Sequence, residues 1–296
     1  MRPEGDATGV QAAPDGDAAV RRARDEPEPL AVPQPEGSEP EPESTAVDTH
    51  CHLFLIEDDA AHVVAAARDA GVGQLICVGI DPDTSRRSAE LAQSLRGVFA
   101  TAGMHPHTAS DFDDAAGGAI EELLADPMVV GVGETGLDYF RLLSPVQDQQ
   151  RAFRTHIALS RESGKPLVVH VRDAWDDALR ILSEEGAERV VLHCFTGDAA
   201  VASEVQARGY FASFAGNLTY PKATAIRSAA AALGGDRILA ETDSPFLPPQ
   251  SLRGTDNVPS NVIAVLEALA AVRQTNLHQA VSETTANARA VFPHLP

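Results

Sequence analysis

Eight short apolar runs, each followed by a stretch with helical spacing, constrain the fold of this chain more than any other feature. They are STAVDTHCHL (44–53), QLICVGI (74–80), VFATAGMHP (98–106), MVVGVGETGLDY (128–139), KPLVVHVRDA (165–174), RVVLHCFTG (189–197), GYFASFAGN (209–217) and DRILAETDSP (236–245). Near-continuous apolar runs belong to strands covered on both faces, since each face must exclude water. The segments between them, such as DDAAHVVAAARDAGV and VQDQQRAFRTHIALSRESG, repeat apolar residues at helical intervals and often end in Gly. Eight strand–helix units predict an α/β fold of the (β/α)8 TIM barrel type. A doubly wound open sheet is the competitor. It would place a Gly-rich phosphate turn after an early strand, and none occurs. From about residue 258, PSNVIAVLEALAAV and HQAVSETTANARAVF read as closing helices.

The chain divides into residues 1–46 and a barrel over 47–296. Residues 1–46 hold eight of the twenty prolines and almost no large apolar side chains, and eleven acids there face four arginines, a net of −7. Such a segment cannot bury enough apolar surface to offset its ordering entropy, so a disordered acidic, Pro-rich tail is expected. It reads as an interaction arm or as a dispensable leader. The whole chain has 296 residues and a formal charge of −20, which excludes a generic basic nucleic-acid coat. It does not exclude an enzyme that meets a phosphate at a metal. There is no apolar run long enough for a membrane span, and the opening MRPEGDATGVQAAPDGD lacks the pattern of a secretory signal. Three cysteines form no disulfide framework, so a cytoplasmic setting is expected. No membrane and no stable protein partner are expected.

The functional signal lies at the ends of the runs. His50 and His52 close the first, His105 the third, Glu134 the fourth, His170 the fifth, His193 the sixth and Asp243 the eighth, and Asn217 follows the seventh. In a barrel of this type the C-terminal ends of the strands form the site face. Residues two apart on a strand share a face, so His50 and His52 can share one metal, while Cys51 points the other way. An isolated HxH can equally be a local hydrogen-bonding pair. His170 and His193, at similar depth on adjacent strands, add to the case for metal. A buried carboxylate at Asp243 calls for a cation, either a metal or an arginine such as Arg172. Four histidines and two carboxylates can hold two divalent ions with one carboxylate between them. The only lysines, Lys165 and Lys222, sit before strand 5 and after strand 7, so a carboxylated lysine cannot serve as the bridge. Glu134 is the best-placed bridging group.

The motifs DTHCHL (48–53), GMHPH (103–107), GETGLDYF (133–140), HVRDA (170–174), HCFTG (193–197) and ETDSP (241–245) occur in this order, and TTANARAVF lies near the end. Together they make the chain from about Val47 to Phe292 resemble the TatD family of metal-dependent deoxyribonucleases. The resemblance implies an amidohydrolase-type barrel with two metals, Mg²⁺, Mn²⁺ or Zn²⁺. His50, His52, Glu134 and Asp243 would serve one ion, and Glu134, His170 and His193 the other. It also implies hydrolysis of DNA phosphodiesters, often as a 3′→5′ exonuclease on single strands or 3′ ends.

Within that reading Asp243 is ligand and proton acceptor, and Glu134 is the second catalytic carboxylate. His105 either contacts the phosphate or leaving oxygen, or is a turn residue before Pro106. Asp138 braces the loop after Glu134. Arg172, Lys222, Arg253 and Asn257 are candidate substrate contacts, although Arg172 and Lys222 can also be solvated surface charges. Where the family shows RGKRNEP after strand 8, this chain reads RGTDNVP (253–259). Two cations are missing there, so DNA binding should be weak and salt-sensitive. A hydrolase of another ester or amide bond, in a small molecule or an aminoacyl-tRNA, is the alternative activity. A non-catalytic metal-binding barrel is a third reading, disfavoured by the intact ligand set.

Overall fold

Strands β1 (Ala46–Cys51), β2 (Val72–Val78), β3 (Val98–Ala102), β4 (Val129–Asp138), β5 (Leu167–Arg172), β6 (Val190–Leu192), β7 (Phe211–Phe214) and β8 (Ile238–Ala240) pair parallel in sequence order. Helices α1 (Ala60–Asp69), α2 (Pro82–Ser94), α3 (Asp114–Leu124), α4 (Val146–Ser163), α5 (Trp175–Glu184), α6 (Ala199–Ala207), α7 (Thr224–Ala232) and α8 (Val262–Arg273) follow the strands in turn, and α9 (Leu277–Val291) ends the chain. The computed structural model describes residues 45–295. The tail reading therefore falls outside the described residues up to residue 44, and Ala46 already belongs to β1. Among the described residues no helix is long and apolar enough to cross a membrane.

The order β1 to β8 becomes a barrel through main-chain bonds just past the last strand. Asp243 N–H donates to the His50 carbonyl at 2.9 Å, and His52 N–H donates to the Ser244 carbonyl at 2.8 Å. Side chains fasten the same seam. Asp48 accepts from Thr242 N–H at 2.9 Å and Thr242 Oγ1 at 2.6 Å, and Thr49 Oγ1 donates to the Ala240 carbonyl at 3.1 Å.

Two apolar layers fill the fold. Inside the barrel, Val47, Ile76, Phe99, Val130, Val168, Val191, Phe211 and Leu239, one from each strand, pack on Ala288, Val291, Phe292 and Leu295. The end of α9 thus plugs the barrel opposite the site. Outside, strand residues such as Leu75, Leu167 and Leu192 share a core with helix residues such as Ile120, Phe153 and Ile181. Part of the acidic composition serves the helices. Asp59, Asp81, Asp113 and Asp198 each accept first-turn N–H groups at a helix start, satisfying donors that the helix itself cannot.

Two register slips decide which side chains reach the mouth. Along β1 and β2, Asp48 pairs with Leu75 and Cys51 with Cys77, so β1 uses three residues where β2 uses two. Val47 lies in the inner layer. Simple alternation from it would send His50 and His52 outward, and the extra residue reverses that phase. A second slip lies between Val132 and Thr135, around Glu134. Gly133 in that slip has φ +130°, and a Cβ there would lie 2.4 Å from the Val168 carbonyl oxygen, so only glycine fits.

His156 of α4 supports the turn that carries His105. It is fully buried; Nδ1–H donates to the Ala152 carbonyl at 2.7 Å and Nε2 accepts Met104 N–H at 3.0 Å. The Met104 contact requires the neutral ring, because a protonated Nε2 could not accept it, and burial pushes its pKa from 6.5 down to about 4, against the opposing pull of the Ala152 carbonyl. Between those values the unfolded chain binds a proton that the folded chain refuses. Stability from this residue is therefore complete above pH 6.5 and lost as pH falls towards 4. Denaturant midpoints of the metal-free protein, measured from pH 7 to 4.5, should fall less steeply in His156→Gln than in the wild type. Equal slopes would show that this ring does not contribute.

Candidate metal centre

Glu134 sits at the centre of a buried group of imidazoles and uses its two oxygens on different partners. Oε1 lies 2.8 Å from His193 Nε2, 3.1 Å from His170 Nδ1 and 3.3 Å from His105 Nε2. Oε2 lies 3.4 Å from His50 Nε2 and 3.9 Å from His52 Nε2. Asp243 Oδ1 approaches the same pair, at 3.6 Å from His52 and 3.8 Å from His50. The His50 and His193 rings stack with centroids 3.9 Å apart.

These contacts set the charge states. Burial opposes ionisation of Glu134, yet His193 and the other imidazoles outweigh it and hold the carboxyl well below its usual range. Asp243 is likewise held low by His52, His50 and His193 against its own burial. Burial works against protonating His193, but Glu134 and Glu241 hold its pKa well above the ordinary value. His52 and His170 are raised through their carboxylate partners, also against burial. His50 is lowered by burial and by His193. His105 is lowered to about 4 by burial, which Glu134 only partly opposes.

The donor set fits divalent cations. His52 Nδ1–H donates to the Val78 carbonyl at 2.8 Å, so the neutral ring turns a lone pair at Nε2 towards the site. That Nε2 lies only 3.3 Å from His50 Nε2, and two carboxylate oxygens converge on the same space. Nitrogen and oxygen lone pairs gathered this closely in a buried site repel one another unless protons or cations lie between them. Three three-residue groups, His50–His52–Glu134, His105–Glu134–His170 and His50–His193–Glu241, each bring ligand atoms within 4.8 Å of one another. The first two share Glu134, and His170 Nδ1 and His193 Nε2 lie 3.3 Å apart beside its Oε1, an arrangement that fits a binuclear site built from imidazole and carboxylate.

The structure thus gathers His50, His52, Glu134, His170, His193 and Asp243 in one cluster and adds His105 to it. His105 is a turn residue before Pro106 and also faces the cluster. Its Nδ1 accepts His107 N–H at 3.1 Å and caps the turn at Pro106, while its Nε2 faces Glu134. Asp243 takes imidazoles as partners, not Arg172, whose guanidinium lies over the Phe140 ring at 4.0 Å. Asn257 does not serve as a substrate contact here. It is buried, and its Nδ2 donates to the Thr242 carbonyl at 2.9 Å and to the Phe246 carbonyl, anchoring the loop after β8. Lys222 and Arg253 are exposed, and Arg253 lies over Tyr220 at 4.9 Å. Lys165 donates to the Leu124 and Asp126 carbonyls, away from the cluster.

Sequence reasoning missed Glu241. Its Oε1 accepts Cys194 N–H at 2.7 Å and lies 3.3 Å from His193 Nδ1, which leaves Nε2 of that ring facing Glu134. Asp138 does brace its loop, accepting from Phe140 N–H and Arg141 N–H. Its other oxygen lies 2.8 Å from His107 Nε2 and 3.5 Å from His170 Nε2. Asp48 is pushed up to about 8 by burial, against hydrogen bonds from Thr242 and His50, and is a seam residue. The one available signal for Glu241 was its place two residues before Asp243.

Comparison with known proteins agrees with this geometry. Residues 47–293 match the model of the family described as TatD related DNase. The chain belongs to the TatD family of metal-dependent hydrolases. A Bacillus subtilis relative, the uncharacterized metal-dependent hydrolase YabD, is 38% identical over 249 residues, covering 83% of this chain and 98% of that one. A Klebsiella pneumoniae relative, the 3′-5′ ssDNA/RNA exonuclease TatD, is 34% identical over 241 residues, covering 79% of this chain and 92% of that one. The crystal structure of the Escherichia coli TatD homologue YJJV superposes with a TM-score of 0.78 at 26% identity, covering 84% of this chain and 98% of that one.

The geometry around this TatD-family cluster makes Glu241 a positioning residue. Partners that orient a ligating imidazole typically change metal affinity about 10–100-fold when removed. Competition of Zn²⁺ between the protein and a chromogenic chelator should therefore show Glu241→Gln weakened by about that factor, with an unchanged far-ultraviolet spectrum. Wild-type affinity in the variant would remove Glu241 from this role.

Proposed function

We propose that this chain is a metal-dependent phosphodiesterase that removes nucleotides from the 3′ ends of single-stranded DNA. The observation that carries the reading is the division of Glu134, one oxygen towards His50 and His52, the other towards His105, His170 and His193. The Klebsiella pneumoniae relative, named as a 3′-5′ ssDNA/RNA exonuclease, supports the choice of substrate.

His50, His52, Glu134 and Asp243 would hold one divalent ion, Mg²⁺, Mn²⁺ or Zn²⁺, and Glu134, His170 and His193 a second. Bound there, such ions supply Lewis-acid polarisation of the phosphoryl oxygens and ease the ionisation of water. The protein supplies the proton acceptor. Asp243 stays ionised, its backbone is held to the His50 carbonyl and its carboxylate lies beside His50 and His52, which would place it to take the proton of the attacking water. His105 is neutral at working pH, and its Nδ1 is engaged as an acceptor. Its Nε2–H is then a donor aimed into the site, suited to a non-bridging or leaving oxygen. Arg172, Arg253 and Lys222 would meet the backbone phosphates, and their small number predicts salt-sensitive binding. The free cysteines Cys51, Cys77 and Cys194 support a reducing, cytoplasmic setting.

Single-stranded DNA incubated with the protein and Mg²⁺, Mn²⁺ or Zn²⁺ should be shortened to nucleotides from its 3′ end. No release with any metal, alongside turnover of carboxylic esters, would favour the alternative ester or amide hydrolase, which the thinned segment 253–259 would suit. Asp243→Asn should lower kcat by at least about 10²-fold while leaving the thermal transition in place. Retained turnover would remove Asp243 as the proton acceptor.

A further inference from the structure

Two large apolar rings stand open to solvent, Phe246 beside the cluster and Phe140 on the loop that Asp138 holds behind His170. Phe246 is 51% exposed, and its ring centroid is 5.9 Å from that of His52, on the Asp243 side. Phe140 is 60% exposed, and its N–H is held by Asp138, the carboxylate that reaches His170 on the other side. Both rings are fixed at the backbone, since Phe246 N–H donates to the Asp243 carbonyl at 2.8 Å. Arg172 covers one face of Phe140 at 4.0 Å, and Arg253 lies over Tyr220 at 4.9 Å.

The two rings offer uncovered flat faces, and arginines lie against Phe140 and the nearby Tyr220, the kind of surface on which a flat ligand stacks. Arginine stacked on an aromatic ring adds a positive charge at the edge of that surface. Aromatic rings interleaved with cations match the chemistry of unpaired nucleotides, whose bases stack while their phosphates seek positive charge. A duplex hides its base faces, so the occupant is a single strand.

We propose that Phe246 and Phe140 are substrate-positioning platforms that stack the bases on either side of the scissile phosphodiester, with Arg172 serving the adjacent phosphate. The inference rests on the phosphodiesterase reading and goes beyond it by naming the groups that select single strands. It requires that cleavage depend on the bases as well as on the phosphate.

The test compares kcat/KM of the full chain with Mn²⁺ on a thymidine oligonucleotide and on one of equal length with abasic sites at its last two 3′ positions. The wild type should prefer the base-bearing strand by about tenfold or more. In the Phe140→Ala, Phe246→Ala double variant the ratio should fall towards one, and tryptophan at both positions should restore it. A wild-type ratio in the double alanine variant would overturn the proposal, as would finding that the rings join two copies of the chain in light scattering. A binding measurement separates this from failure of the enzyme reading. A 3′-terminal 2-aminopurine should be quenched on binding to the wild type and not to the double variant. Quenching without nucleotide release would overturn only the phosphodiesterase reading, whereas no quenching would overturn the platform.

Discussion

A single buried carboxylate, shared between two groups of imidazoles, organises this molecule. Glu134 is almost fully buried, and a carboxylate removed from water costs several kcal/mol unless paired. Five histidines surround it and make its ionised form the stable one. The same contacts raise the pKa of His52, His170 and His193 against the burial that lowers it. Divalent ions would do the same electrostatic work with fewer protons, which links metal affinity to pH.

Barrel closure and site formation use the same atoms. The bonds that return β8 to β1 involve His50, His52, Asp243 and Ser244, and Asp48 locks Thr242 beside them. The main-chain bonds that close the barrel therefore also hold the backbone of His50, His52 and Asp243. The slips in β1 and β4 are part of that design, since they turn the HxH pair and Glu134 into the mouth. Support extends outward through Glu241 behind His193 and Asp138 behind His170. Aspartates at the starts of α1, α2, α3 and α6 place part of the negative charge in helix capping, away from the question of what the protein binds.

The strands were legible because burial on both faces leaves an apolar run, and the clustered histidines and carboxylates because polar residues stand out at the ends of such runs. Boundaries were less so: the run at 189–197 yields only Val190–Leu192 as strand, because the residues after it turn towards the site. The phase of His50 and His52 was right in outcome, but it depends on a bulge that periodicity does not reveal. Glu241 was passed over since a carboxylate that orients a ligand has no spacing rule of its own. Asn257 looked like a phosphate contact by its motif position, yet its amide is committed to carbonyls, a partner choice that only the folded loop makes visible. The aromatic rim was invisible for a related reason, since exposure of Phe140 and Phe246 follows from loop geometry and not from composition.

In the proposed centre Glu134 joins two cations. Anomalous diffraction from crystals soaked in Mn²⁺ or Zn²⁺ tests it most directly. Two peaks per chain, one contacted by each oxygen of Glu134, with His50 and His52 at one and His170 and His193 at the other, are the predicted result. A single peak, or two peaks that leave Glu134 bound through one oxygen only, would contradict it.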